Sequence, residues 1–121
     1  MSDFPEEYSD GYVLFYGQRC LVDPRALIPR IETEELVKYT LKILENSPNI
    51  DTIVDIGTGS GVIPLSIAHK SPRELIIIAT DMSQEALDLA QENFALLKKS
   101  LIRPPIFLPG DLLVPVIRHL G

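Results

Sequence analysis

The most informative segment for the fold is Asp55-Ile56-Gly57-Thr58-Gly59-Ser60-Gly61. A short apolar run, Thr52 to Ile56, leads into its glycines, and a helical pattern, Val62 to His69, follows them. A glycine-rich turn between the C-terminal end of a strand and a helix lets a ligand lie against bare backbone. A tight turn without a ligand is the alternative, but it needs fewer glycines. The stretch therefore favours a ligand site.

Strand and helix patterns alternate on both sides of this stretch. The order is helix, strand, helix, strand, helix, strand, which indicates parallel strands joined by helical crossovers. Right-handed crossovers predict the spatial strand order 3-2-1, half of a doubly wound, Rossmann-like α/β sheet. The flanking patterns are a helix from Thr33 with an apolar stripe, a strand at Leu75 to Thr80, a helix after the N-cap Ser83, and a strand at Ile106 to Leu108.

The N-terminal part of the chain divides into an arm and a hairpin. Residues 1–11 are polar and lack periodicity, so we expect a flexible arm, followed by a partial domain over residues 12–121. Two β-prone runs, Tyr12 to Tyr16 and Arg19 to Val22, predict a hairpin. The intervening Gly17-Gln18 suits a type II′ turn.

Composition and charge restrict the function classes. The chain has 121 residues, of which 45% are hydrophobic and 23% charged, as in one globular domain. The net charge of −6 argues against sequence-independent nucleic-acid binding. With no apolar run long enough to span a bilayer and no signal peptide, we expect a soluble, cytoplasmic protein. The single cysteine, Cys20, excludes an internal disulfide and fits a small apolar strand residue. His69 and His119 lack spaced partners for a metal.

The spacing of the glycines narrows the ligand. The dinucleotide fingerprint G-x-G-x-x-G would need its last glycine at Val62, and the Lys-Ser/Thr ending of the phosphate-binding P-loop is absent. Asp81, however, ends the next strand 20 residues after Gly61. A carboxylate there can accept two hydrogen bonds from a ribose diol. The alternative is an acidic residue that stabilises a helix start beside Ser83.

Together, Asp55 to Gly61 and Asp81 resemble motifs I and II of class I methyltransferases. The resemblance implies S-adenosylmethionine as the cofactor. It also implies that Gly57, Thr58, Gly59, Ser60 and Gly61 lie against the methionine part, that Asp81 binds the ribose hydroxyls, and that Leu112 lies beside the adenine.

A second stretch identifies a narrower family. Leu27 to Val37, L-I-P-R-I-E-T-E-E-L-V, is similar to the L-I-P-R-P-E-T-E-x-L-V signature of the HemK/PrmC glutamine N5-methyltransferases, with Ile31 where the family usually has proline. The resemblance extends over Tyr12 to Leu113. It implies methylation of the glutamine amide in the Gly-Gly-Gln loop of peptide chain release factors. Amino-methyltransferases of ribosomal protein are the near alternative, and the Glu-Thr-Glu run favours the release-factor branch.

The family's Asn-Pro-Pro-Tyr motif does not occur in this sequence. An amide nitrogen is a poor nucleophile because its lone pair is delocalised, and in the family this motif orients it. We therefore expect the front portion of such an enzyme, with unknown catalytic residues and no methyl transfer by this chain alone. The alternative is a non-catalytic fragment that binds the cofactor or a partner. We also expect the strand Thr52 to Ile56 to expose a sheet edge that permits self-association.

Overall fold

The computed structural model describes residues 10–26, 28–29, 31–97 and 101–111, together with 114, 117 and 119. Residues 1–9 of the expected arm lie outside this part, and the carbonyl of Gly11 accepts a hydrogen bond from the Val22 N–H at 3.1 Å. The helices and strands of the described residues are β1 (Tyr12–Phe15), β2 (Gln18–Leu21), α1 (Ile31–Glu45), β3 (Thr52–Ile56), α2 (Val62–Lys70), β4 (Ile76–Asp81), α3 (Gln84–Ala95) and β5 (Ile106–Pro109).

The main sheet is parallel and has the order β3-β4-β5. In its register Val54 lies opposite Ile78, which in turn lies opposite Ile106. The helices α2 and α3 are the crossovers between successive strands. The predicted α/β class and the spatial order 3-2-1 are therefore confirmed. Because the strands are parallel, the glycine-rich turn and Asp81 both lie at the carboxyl ends of the strands.

The helix ends follow the expected local chemistry. The helix α1 begins two residues before the predicted Thr33. Glu32 and Glu34 lie in its first turn, where negative charges interact favourably with the positive end of the helix dipole. The N-cap of α3 is Ser83, as predicted, and its side-chain oxygen accepts the Ala86 N–H at 3.1 Å. The N-cap of α2 is Gly61, which has no side chain for capping.

The hairpin turn differs from the sequence prediction. Its central residues are Tyr16 and Gly17, with φ of 54° and 77°, so the turn has two positive φ angles and is of the I′ kind. The predicted II′ turn at Gly17-Gln18 is wrong because Gln18 already pairs with Phe15 in the ladder. The Tyr16 N–H donates to Glu34 Oε1 at 3.1 Å, which helps to hold this residue in its uncommon conformation.

The core lies between the sheet and the helices, and the hairpin adds to it. Leu65 and Ile67 of α2, Ile78 of β4 and Leu87 of α3 are all fully buried. Cys20 of β2 is also buried, and this burial raises the pKa of its thiol to about 12. Its burial within a strand confirms the prediction that Cys20 is a small apolar strand residue. Among the described residues, no helix is both long and apolar enough to cross a bilayer.

Candidate functional site

A cavity of about 590 Å³ opens where β3 and β4 end. In open parallel sheets this crevice at the carboxyl ends of the strands is where ligands bind. The glycine-rich turn, the start of α2, the segment after the hairpin and the residues that follow β4 enclose it. Its lining residues are Pro24, Arg25, Ala26, Ile28, Pro29, Thr33, Gly57, Thr58, Gly59, Ser60, Val62, Ile63, Asp81, Ser83 and Ala86.

The three glycines of the turn serve different purposes. All have positive φ, at 74°, 57° and 81° for Gly57, Gly59 and Gly61. A Cβ added to Gly61 would lie 2.8 Å from the Cβ of Ala90, so close packing against α3 explains this glycine. A Cβ on Gly57 would meet nothing within 4 Å, and one on Gly59 would meet only Ala26 at 3.8 Å. Packing therefore accounts for Gly61, whereas Gly57 and Gly59 leave bare backbone with space around it.

The carboxylate of Asp81 lies directly against the turn. Its Oδ2 accepts the Gly59 N–H at 2.9 Å, and its Oδ1 accepts the Ser83 N–H at 2.9 Å. An ionised carboxylate has about four acceptor positions, so each oxygen keeps capacity for another donor. The two features that the sequence placed 20 residues apart are thus in direct contact at the cavity wall. The bond to Ser83 shows that Asp81 also contributes to the start of α3.

The side chains of the turn add a polar group to the cavity wall. Thr58 is only 6% exposed, and its hydroxyl oxygen has no hydrogen-bond partner in the described part of the chain. Its backbone N–H donates to the Thr80 carbonyl at 2.8 Å, so the residue is fixed in place. Because buried polar groups are generally paired, this hydroxyl is suited to a polar ligand. Ser60 is buried as well, and its carbonyl accepts from Asn93.

Asp55 belongs to the glycine motif, but the sequence indicates no separate role for it. Burial raises the pKa of its carboxyl group, and the negative charge of Asp81 raises it further. The nearby Thr58 hydroxyl opposes this shift without reaching hydrogen-bond geometry, and Asp55 Oδ2 has no partner among the described residues. The two carboxyl groups therefore have different environments. That of Asp81 is hydrogen-bonded at the cavity wall, and that of Asp55 is poorly solvated in β3.

Arg25 is a cavity residue that the sequence reasoning missed. Its guanidinium pairs with Asp23 at 2.7 Å and with Glu92 of α3 at 2.5 Å. The hydrogen bond from Arg25 lowers the pKa of the Asp23 carboxyl. These contacts fasten the cavity-lining segment to α3. A basic residue two positions after an acid is too common in loops to have signalled this role.

Not every residue of the expected site can be placed. Leu112, expected beside the adenine, lies outside the described residues. So do Leu27 and Arg30 of the family signature at residues 27–37. Of that motif, Thr33 lines the cavity and Glu34 holds the hairpin turn. Within the described ranges no three potential metal ligands come together.

An open parallel sheet with a glycine turn and an acidic residue at its first two strand ends defines a class of nucleotide-type binding domains. The sequence model of a protein family, the methyltransferase small domain, matches residues 36–106. The chain belongs to this family.

Curated relatives agree with this assignment. The release factor glutamine methyltransferase of Streptococcus pneumoniae is 51% identical over 89 residues, which are 74% of this chain and 31% of that protein. The protein of the same name from Staphylococcus aureus is 44% identical over 115 residues, which are 95% of this chain and 38% of that protein. The chain spans about a third of the length of the curated relatives it matches.

One solved structure has a partial likeness to the chain. It is a SAM-dependent methyltransferase from Thiobacillus denitrificans in complex with S-adenosyl-L-homocysteine, and it superposes with a TM-score of 0.42 at 24% identity. The superposition covers 69% of this chain and 37% of that one. A likeness of this extent supports no conclusion about a ligand.

Proposed function

We propose that the chain is part of a HemK/PrmC-type, S-adenosylmethionine-dependent protein methyltransferase. Its reaction is methylation of the glutamine side-chain amide of peptide chain release factors, in the cytoplasm and in the service of translation termination. Relatives that are 51% and 44% identical carry the name release factor glutamine methyltransferase, which supports this substrate. The net charge of −6 supports recognition of a protein rather than direct binding of nucleic acid.

The observation that carries the proposal is the pairing of two open glycines with a carboxylate at one cavity. Gly57 and Gly59 offer backbone without a side chain, and Asp81 lies against them with acceptor capacity to spare. The cavity volume of about 590 Å³ falls within the range of small-molecule sites, about 300–1,000 Å³. The residues present therefore fit S-adenosylmethionine, with the unpaired Thr58 hydroxyl as a further polar contact.

When bound, S-adenosylmethionine supplies a methyl group on a sulfonium, which needs no further activation by the protein. The residues of this chain bind and orient it: residues Gly57 to Gly61 against the methionine part, Asp81 at the ribose hydroxyls and Leu112 beside the adenine. The segment that carries Arg25 forms the opposite wall of the cavity.

A second candidate function is a cofactor-binding module without catalysis. The observation that favours it is that the sequence contains no Asn-Pro-Pro-Tyr motif to orient an amide nitrogen. Positioning of the amide nitrogen supplies a large share of such catalysis. The catalytic residues of this chain are therefore unknown.

Calorimetric titration with S-adenosylhomocysteine tests the cofactor site. Asp81→Asn keeps the size of the side chain but removes its charge, so we expect affinity to fall by about tenfold or more. Asp88→Asn is the matched control, because Asp88 is exposed on α3 and does not line the cavity. Equal affinities for the parent chain and Asp81→Asn would contradict the assignment of Asp81.

Mass spectrometry of a release factor separates the two candidate functions. The factor is incubated with S-adenosylmethionine and the 121-residue chain, and its Gly-Gly-Gln peptide is analysed. We expect no added methyl group, because nothing in the chain is known to orient the amide. Methylation of that glutamine would exclude the non-catalytic module and place the catalytic residues within this sequence.

A further inference from the structure

Asn93, in the last turn of α3, is fully buried and bonds to two distant parts of the chain. Its Oδ1 accepts the Leu21 N–H at 2.5 Å, and its Nδ2 donates to the Leu21 carbonyl at 3.1 Å. The same Nδ2 donates to the Ser60 carbonyl at 2.8 Å. Both N–H donors of the amide and one acceptor position are thus in use.

These bonds connect the two walls of the cavity. Ser60 belongs to the glycine-rich turn and lines the cavity. Leu21 ends β2, immediately before the segment that supplies Pro24, Arg25 and Ala26 to the opposite wall. Asn93 itself does not line the cavity. The side chain lies behind both walls and bonds to the backbone of each.

We propose that Asn93 is the positioning residue of the cofactor site, whose amide holds the glycine-rich turn and the end of the hairpin at a fixed separation. The proposal rests on the proposed function in that S-adenosylhomocysteine is the ligand whose affinity reports on the site. A residue that only filled space would be replaceable by an apolar one of similar volume. A positioning amide is not, because its loss leaves the Leu21 N–H and carbonyl and the Ser60 carbonyl unpaired.

Contacts of the neighbouring glycine show why the hydrogen bonds are needed. Gly61 packs closely on Ala90 of α3, and this contact fixes the start of α2. It does not reach the hairpin. Asn93 bonds to the backbone of both the turn and β2. We therefore expect its loss to loosen the turn relative to the hairpin while α2 stays packed.

Hydrogen exchange of the turn tests this role without any ligand. The amides of Thr58, Gly59 and Gly61 are protected by bonds to the Thr80 carbonyl, Asp81 Oδ2 and the Thr58 carbonyl. In Asn93→Leu we expect these amides to exchange about tenfold faster or more, and the affinity for S-adenosylhomocysteine to fall by about tenfold. Gln91→Ala, at an exposed position of the same helix, should change neither quantity.

A destabilised control separates positioning from general loss of stability. Leu44→Ala removes a buried side chain of α1, whereas the hydrogen bonds of Asn93 go to Leu21 and Ser60, outside that helix. At matched stability it should leave the exchange of the turn and the affinity close to those of the parent chain. If Asn93→Leu does not fold, Asn93→Asp keeps the shape and the acceptor for Leu21 but removes the donors, and the same acceleration is expected.

Two different failures can be told apart. If the parent chain does not bind S-adenosylhomocysteine but the exchange in the turn still accelerates in the Asn93 variants, the proposed function is wrong and the positioning role stands. If the turn exchanges no faster in Asn93→Leu or Asn93→Asp than in Leu44→Ala, the positioning role is overturned, whatever the affinity of the parent chain.

Discussion

The neighbouring strands β3 and β4 have similar apolar sequences but different environments. β4 pairs with β3 on one side and β5 on the other, and its four middle residues, Ile77 to Thr80, are buried. Within the described residues β3 pairs only with β4, and alternate side chains along it are exposed. Val54 is 37% exposed, whereas Ile78, directly opposite in the register, is 1% exposed. Position in the sheet, not composition, decides how much a strand residue contributes to stability.

The acids of the two strands show the same contrast. Asp81, at the end of β4, has an N–H donor on each carboxylate oxygen. Asp55, within β3, has one oxygen without a partner among the described residues, and its pKa is raised by burial. A carboxylate that accepts one N–H on each oxygen keeps acceptor positions for the donors of a ligand. A desolvated one costs the fold stability when it is charged.

The largest expected effect on stability comes from Ile78→Ala, which is compared with Val54→Ala at the opposite position of the β3–β4 pair. Ile78→Ala leaves a cavity in the core and should lower the free energy of unfolding by about 4 kcal/mol. Val54→Ala should cost only about 1 kcal/mol, because its side chain is already partly in water. Urea denaturation of both variants under the same conditions measures the difference. Equal losses would mean that β3 is covered as well as β4 in solution.

The glycines that follow β3 give the next largest effect. Gly61→Ala combines a left-handed backbone with a 2.8 Å approach to Ala90, and we expect a loss of about 3 kcal/mol. Gly57→Ala has the same kind of backbone cost without a clash, so about 1 kcal/mol is expected. Thermal unfolding of the pair checks this order. A Gly61 variant as stable as the Gly57 variant would show that α2 and α3 can separate at little cost.

Sequence periodicity was sufficient for the sheet, because buried strands and amphipathic helices have patterns of their own. Thr52 to Ile56, the glycine turn and Asp81 lie where the sequence predicted. Three features could not be predicted: the positive φ of Tyr16, the packing reason for Gly61 and the bonds of Asn93. Each depends on a residue far away in sequence. Tyr16, for example, is held by Glu34, and nothing local favours a tyrosine in that conformation.

Asp55→Asn tests whether the charged form of Asp55 destabilises the fold. Because the pKa of Asp55 is raised in the folded chain, the folded state holds its proton more tightly than the unfolded state does. The contribution of this residue to stability therefore falls as the pH rises from the ordinary pKa of an aspartate, about 3.9, through the raised pKa of Asp55 in the folded chain. We expect the asparagine variant to lack this fall and to be the more stable form at neutral pH. Urea midpoints of both proteins across acidic to neutral pH test the sign. A variant that is less stable at neutral pH would mean that the charged form of Asp55 is favoured in the fold.

The smallest expected effect on stability, and a separate effect on assembly, comes from placing a charge on β3. An unpaired, apolar strand edge can pair with another chain, so we expect the parent chain to self-associate at micromolar concentration. Val54→Lys should reduce this association while changing the unfolding free energy by less than about 1 kcal/mol. Leu14→Lys is the control, because Leu14 is exposed as well but lies on the hairpin. Light scattering should show a lower mean mass for Val54→Lys and an unchanged one for Leu14→Lys. A monomeric parent chain would mean that the edge of β3 is protected in solution, and an equal effect of both lysines would move the interface away from β3.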